Sequence, residues 1–312
     1  MQRTLTLEIP VDLVATLSPL RRGRNDPCMA LSPDEAWRAT RTADGPALIH
    51  LHRADAARVV VRAWGPGRDW ALDHADGLVG AQDDPSPLER MLQTVRTPER
   101  AILQRLHRHH GGLRLPRTLA VAETLTPVIL EQRVTGQEAW RSYRRLVHEL
   151  GAPAPVAPTG GPQLWLPPEP ATLVDLPSWH YHRLGVERRR AETIVRVNRL
   201  APRLHRAVTD PTSDRDVDSM LRSVPGVGQW TIAETARTTV GDPDAVSTGD
   251  FHLPNTVAWL FRRRARSDDD EMLRLLEPYR GQRGRVLRLV MLSRTRAPKF
   301  GPKGRILDIR SI

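Results

Sequence analysis

The sequence predicts an α+β fold in which a small sheet-rich domain precedes an all-helical one. Three observations predict it. Alternating and β-branched runs are confined to the first eighty-odd residues, helical spacing of apolar residues dominates from about residue 86, and a glycine turn joins two short helices late in the chain. At 312 residues the chain can bury a substantial core without disulfide staples.

From Leu5 to about Gly80, the runs LTLEI, PALIHLH and ARVVVRAW read as strands, punctuated by Asp44-Gly45 and Gly65-Pro66-Gly67, with a short helix at Val11 to Leu17. GLVGAQDDPSPLER is an exit loop with a helix start signal at Ser86-Pro87, which sets a domain boundary near residue 85. Helical spacing then recurs in Pro98 to His107, Ala120 to Ile129, Ala139 to Leu150, Arg188 to Leu200, Val217 to Val224, Trp230 to Val240, Thr256 to Phe261, Glu271 to Leu276 and Arg283 to Leu292. The helical domain is thus expected over residues 86–297. Within it, GAPAPVAPTGGPQLWLPPEP cannot continue a helix and is read as a long surface connection, with Leu164, Trp165 and Leu166 able to pack back. Residues 298–312 form a basic, proline-interrupted tail, read as mobile.

Composition narrows the function. Cys28 is the only cysteine, which excludes an internal disulfide, a thiolate zinc site and a four-cysteine iron–sulfur cluster. The HRHH run at His107, His109 and His110 lacks partner ligands and is read as a solvated helix end. No apolar run is long enough for a membrane span and no secretory signal opens the chain, so a cytoplasmic, membrane-free protein is expected. A net charge of +11 suits a polyanionic partner, though arginine on solvated faces would produce the same balance.

The informative segment is DVDSMLRSVPGVGQWTIAETARTTV, residues 216–240. Val217, Met220, Leu221 and Val224 make one apolar stripe, Pro-Gly-Val-Gly breaks the helix, and Trp230, Ala233, Ala236 and Val240 restart the pattern. Gly226 and Gly228 let the backbone approach an anion, and the amides of Val227, Gln229 and Thr231 stand at or beside the start of the next helix, where donors are unpaired and the dipole is positive. Such a turn holds phosphate without reading base sequence. A plain helical hairpin with a glycine cap has the same local pattern.

The longer segment VPGVGQWTIAETARTTVGDPDAVSTGDFHLPNTVAWLF resembles the hairpin-and-aspartate signature of the helix-hairpin-helix DNA glycosylase superfamily, in particular its 3-methyladenine glycosylase II branch. VILEQRVTGQEAWRSYRRLVHELG, LGVERRRAETIVRVNRLA and EPYRGQRGRVLRLVML are similar to further helices of that fold, and residues 1–85 more weakly to its TATA-binding-protein-like β domain. The resemblance implies a monomeric enzyme of base excision repair that flips a damaged base, an alkylated purine in that branch, out of double-stranded DNA and cuts its N-glycosidic bond. Asp250 is then the catalytic carboxylate, stabilising positive charge on the sugar and orienting water. An N-cap role would also suit an aspartate there.

The same resemblance puts Trp230 where strand-cutting relatives carry a lysine. Because Lys299 and Lys303 are the only lysines, the helical domain has no amine nucleophile, and a monofunctional enzyme that leaves an abasic site is expected. Trp230 is implied as one pocket face, with Trp179 and Trp165 as further aromatic candidates. Glu234 and Arg288 occupy two pocket positions that are aromatic in the branch; they either pair as a buried salt bridge, or Glu234 accepts a hydrogen bond from a base edge. Arg133 falls at the wedge position, or else is one more phosphate contact. The backbone carbonyls of Arg222, Val224 and Val227 are implied to hold a monovalent cation, with no other cofactor required. Two alternatives stay open: a noncatalytic damage sensor, and a glycosylase for a neutral base such as hypoxanthine or uracil.

Overall fold

The computed structural model describes residues 1–158, 160–210, 216–298 and 308–311. Strands β1 (Gln2–Thr6), β2 (Met29–Leu31), β3 (Glu35–Thr42), β4 (Gly45–Arg53) and β5 (Arg58–Trp64) form an antiparallel sheet in the order β1-β5-β4-β3-β2. Its period-two pattern gives two distinct faces. Ala36, Leu51 and Val61 stand side by side across three strands and are buried with α1 (Leu13–Leu17), α2 (Arg68–Asp73) and α3 (Ala75–Leu78). On the opposite face Trp37 stacks on its cross-strand neighbour His50, with ring centroids 3.9 Å apart.

That second face would leave Trp37 and Leu48 exposed, and the proline-rich connection covers it. Ala157, Leu164 and Leu166 are buried against Trp37, Ala39 and Leu48, and a small ribbon of β6 (Ala152–Pro153) and β7 (Trp165–Leu166) lies on β3. The connection is therefore part of the core rather than a bare surface loop. Trp165 packs edge-on against His148, and its backbone amide donates to the Pro27 carbonyl at 2.9 Å.

The helical body follows as α4 (Ser86–Thr94), α5 (Arg100–His109), α6 (Val121–Leu130), α7 (Gly136–Leu150), α8 (Pro170–Asp175), α9 (Ser178–Arg183), α10 (Arg188–Arg199), α11 (Ala201–Thr209), α12 (Val217–Arg222), α13 (Gln229–Thr239), α14 (Leu253–Arg262), α15 (Asp269–Leu276) and α16 (Arg283–Leu292). It has two apolar cores. One gathers Leu125, Ile129, Leu146, Ile194, Leu221, Val224 and Ile232 from α6, α7, α10 and the α12–α13 hairpin. The other gathers Leu88, Leu103, Leu253, Val257, Leu276, Val286 and Leu289 from α4, α5 and α14 to α16, and Ala15 of α1 enters it. The hairpin is rooted in the first core and the segment after Asp250 in the second.

Ionic contacts join the sheet to this body. Glu123 of α6 accepts from Arg38 Nη2 at 2.8 Å and Thr40 Oγ1 at 2.7 Å, both on β3. Asp83, in the segment leading into α4, pairs with the fully buried Arg285 of α16, whose Nη1 lies 2.9 Å from its Oδ2. Cys28 is buried in the first helical core, its sulfur accepting from the Tyr143 hydroxyl at 3.4 Å.

Of the C-terminal tail, residues 299–307 and 312 lie outside the described residues. The expectation of a mobile tail is corrected for Asp308 to Ser311: Asp308 lies 4.0 Å from Arg141 and 3.9 Å from Arg145 on α7, and the 3-10 turn Ile309–Ser311 rests against α9. Two guanidiniums give the tail's carboxylate an anchor. Among the described residues no helix is long and apolar enough to cross a membrane.

Candidate active site

The hairpin begins with α12, capped by Asp216, whose carboxylate accepts the amides of Asp218 at 3.0 Å and Ser219 at 3.2 Å. Val227 N–H then closes the turn on the Val224 carbonyl at 3.0 Å. Gly226 sits at φ +94°, and a Cβ there would lie 2.1 Å from Thr193 Oγ1 of α10, so both conformation and packing demand glycine. Gly228 differs. Its φ of −108° suits any residue and a Cβ on it would meet nothing within 4 Å, so the fold itself leaves that position open. No side chain caps α13, which leaves its first-turn amides facing outward from exposed Gly228 and Gln229.

Thr231, expected at the DNA backbone, is only 1% exposed and its hydroxyl accepts from Gln132 Nε2 at 2.8 Å. Its side chain is therefore structural, and only its amide belongs to the helix start. Gln132 also donates to the Gly226 carbonyl at 3.0 Å, tying the loop between α6 and α7 to the hairpin. In that loop Arg133 is exposed with φ +57°, a left-handed conformation that a non-glycine residue adopts at a cost. Thr135 and Glu138 form a capping box just after it, fixing where α7 begins.

Asp250 lies just ahead of α14. Its Oδ1 accepts the amides of His252 and Leu253, each at 2.7 Å, while Oδ2 receives the indole N–H of Trp230 at 3.3 Å. One oxygen thus ties down the two amides at the start of α14, whose N-cap is His252, and the other faces the indole. The hairpin and the α14 start, rooted in different cores, meet at this indole–carboxylate contact. Phe251, beside Asp250, is 84% exposed and packs edge-on against His252. Sequence reasoning missed it, although an unshielded aromatic next to a candidate catalytic carboxylate is itself a signal.

The expected Glu234–Arg288 pair is corrected. Glu234 bonds instead to Arg237, three residues along α13, and to Ser247 Oγ at 2.5 Å. The i,i+3 spacing brings Arg237 into reach without any tertiary movement. Burial works against the Glu234 charge, but the guanidinium and the hydroxyl outweigh it and hold the carboxyl below its ordinary value. Arg288 is 5% exposed and donates to the Ala15 carbonyl at 2.8 Å and Ser18 Oγ at 3.3 Å. Burial, then the charge of Arg237, push it down to about 9, which leaves it a cation at neutral pH. It ties α16 to α1 behind the site.

Trp179 is corrected as a pocket wall: it is 60% exposed on α9 and stacks on its neighbour His180. A two-turn helix bordered by proline shows its flat face to solvent there. Of the carbonyls implied for a cation, that of Val224 already accepts one N–H, which leaves its second lone pair.

Against solved structures, the chain aligns with the 3-methyladenine DNA glycosylase from Archaeoglobus fulgidus at TM-score 0.75 and 17% identity, over 94% of this chain and 98% of that one. The chain shares its fold with that structure. An apo 8-oxoguanine glycosylase/lyase from Clostridium acetobutylicum aligns at TM-score 0.59 and 11% identity, over 85% of this chain and 98% of that one. In sequence, the chain is 23% identical over 182 residues to YfjP of Bacillus subtilis (strain 168), whose name assigns it provisionally to the DNA-3-methyladenine glycosylases. That match spans 57% of this chain and 61% of the relative. No protein-family model matches.

Proposed function

We propose that the protein is a monofunctional DNA glycosylase that releases a damaged base, an alkylated purine, from double-stranded DNA and leaves an abasic site. The observation that carries this reading is Asp250: a carboxylate held by two backbone amides, with its other oxygen turned to the Trp230 indole at the end of a phosphate-friendly hairpin.

The physical case runs from backbone to base. The exposed amides at Gly226, Gly228 and the start of α13 grip a phosphate, and because Gly228 has open space around it the DNA backbone can come close. The base leaves the stack and lies against Trp230, with Arg133 available to fill the gap. Breaking the N-glycosidic bond leaves positive charge on the sugar, and Asp250 offers a fixed anion for it and an acceptor for the attacking water. Backbone carbonyls of Arg222, Val224 and Val227 would be the ones to hold a monovalent cation, which would add positive charge toward the phosphate. Residues 86–297 contain no lysine, so no amine there can form a Schiff base with the sugar.

The test is base release from duplexes carrying 7-methylguanine by wild type and Asp250→Asn. Release should fall about 100- to 1,000-fold in the variant while duplex binding persists. Borohydride should trap no enzyme–DNA adduct, and strands should break only after alkali. A wild type that binds but releases nothing would favour the damage-sensor reading; trapped adducts would remove the monofunctional one.

A further inference from the structure

Glu234 stands one helical turn, about 5.4 Å, beyond Trp230 on the same side of α13. Its carboxylate is held in an uneven way. Both Arg237 Nη2 and Ser247 Oγ bond to Oε1, whereas among the described residues no donor reaches Oε2. Arg237 is 3% exposed and lies behind; the Glu234 side chain retains 24% exposure, so the open part of this pair is the glutamate. Ser247 sits three residues before Asp250 and couples the pair to the segment carrying the catalytic candidate.

We infer that Glu234 is a specificity-determining residue, whose Oε2 accepts a hydrogen bond from an N–H on the edge of the flipped purine while Trp230 stacks on its face. The inference rests on the glycosylase reading above and names how that site would choose its base. Arg237 keeps the carboxylate oriented through Oε1, so the recognising oxygen has a fixed direction, a cheaper acceptor than a mobile side chain would be. The chemistry selects purines with an N–H donor on the edge away from the sugar, such as the N1–H and amino group of 7-methylguanine. It disfavours bases whose edge offers only acceptors or C–H groups, as in 1,N6-ethenoadenine, where the added ring replaces both hydrogens of the N6 amino group, the donor group of that edge. A site built to receive a hydrogen bond rejects a partner that lacks the donor, because the bound base then covers the acceptor and leaves it unpaired.

Glu234→Gln is the decisive variant: its amide oxygen can keep Arg237 and Ser247, which puts an NH2 donor where Oε2 was. Single-turnover release of 7-methylguanine should fall about 10- to 100-fold. Release of 1,N6-ethenoadenine should stay within threefold of wild type or rise, and affinity for duplex with a tetrahydrofuran abasic analogue should stay within threefold. Because the single variant leaves Arg237 without its counter-ion, Glu234→Gln/Arg237→Gln serves as a neutral control and should show the same change in base preference. Loss of all three readouts together, or no loss on 7-methylguanine, would overturn the inference and leave the glycosylase reading intact. Failure of the wild type to release any base would overturn both.

Discussion

A single carboxylate carries two loads in this site. Asp250 spends Oδ1 on the His252 and Leu253 amides at the start of α14 and keeps Oδ2 beside Trp230, so holding the helix start leaves one oxygen for the role proposed above. Glu234 divides its oxygens in a similar way, and its ionisation has a measurable signature. Its folded-state value lies below the ordinary 4.5, so its contribution is fully present above that value and is lost as pH falls through the lowered one. Wild type should therefore exceed Glu234→Gln by about 1–3 kcal/mol between pH 6 and 8, with the gap closing on acidification, as thermal melts across pH would record. At this scale the sequence was informative where chemistry and local spacing coincide. Trp230, Gly226 and Asp250 come from one stretch of motif. Gln132 reaches the hairpin from nearly a hundred residues away, and no local pattern marks it. Arg237 was within reach of helical spacing, since i,i+3 neighbours share a face, whereas Arg288 lies on another helix and is taken up by α1.

At the level of elements, the two glycines of the turn separate folding from binding. Gly226→Ala places a side chain at φ +94° against Thr193 and should cost about 1–3 kcal/mol of stability, read by denaturant melts. Gly228→Ala meets nothing in the protein, so its melt should match wild type while its affinity for duplex DNA falls about tenfold, measured by fluorescence anisotropy. Unchanged affinity in Gly228→Ala would mean that no phosphate approaches that backbone. Long periodic helices such as α7, α10 and α16 were legible from their apolar stripes. Short ones were not: α8, α9 and α11 span six to nine residues, begin at or beside prolines or carry few apolar positions, and are held by packing onto their neighbours rather than by any signature of their own.

Across the whole molecule, the sheet is fastened to the helical body by buried charge as well as by apolar contact. Asp83→Ala would strand the fully buried Arg285 and should cost about 3–5 kcal/mol, visible as a lowered denaturation midpoint. The division into sheet-rich and helical parts was readable from periodicity, because periods of two and 3.6 residues cannot be confused over such lengths. How tightly the parts interlock was not, since it depends on single long-range pairs such as Asp83–Arg285 and Arg38–Glu123. The proline-rich connection was legible in part: Leu164, Trp165 and Leu166 marked it as packing back, but its composition says nothing of the apolar sheet face that it shields.

The thiol of Cys28 follows from that interlocking. Although it belongs to the N-terminal part of the chain, it is plugged into the helical core against Tyr143, and burial pushes it well above the usual thiol range. As the sole sulfhydryl, it can react with a maleimide or disulfide reagent only when the two parts separate, so its modification rate is an internal clock for that opening. It also means that the chain keeps its most nucleophilic atom away from electrophiles in the surrounding solution as long as the two parts stay together.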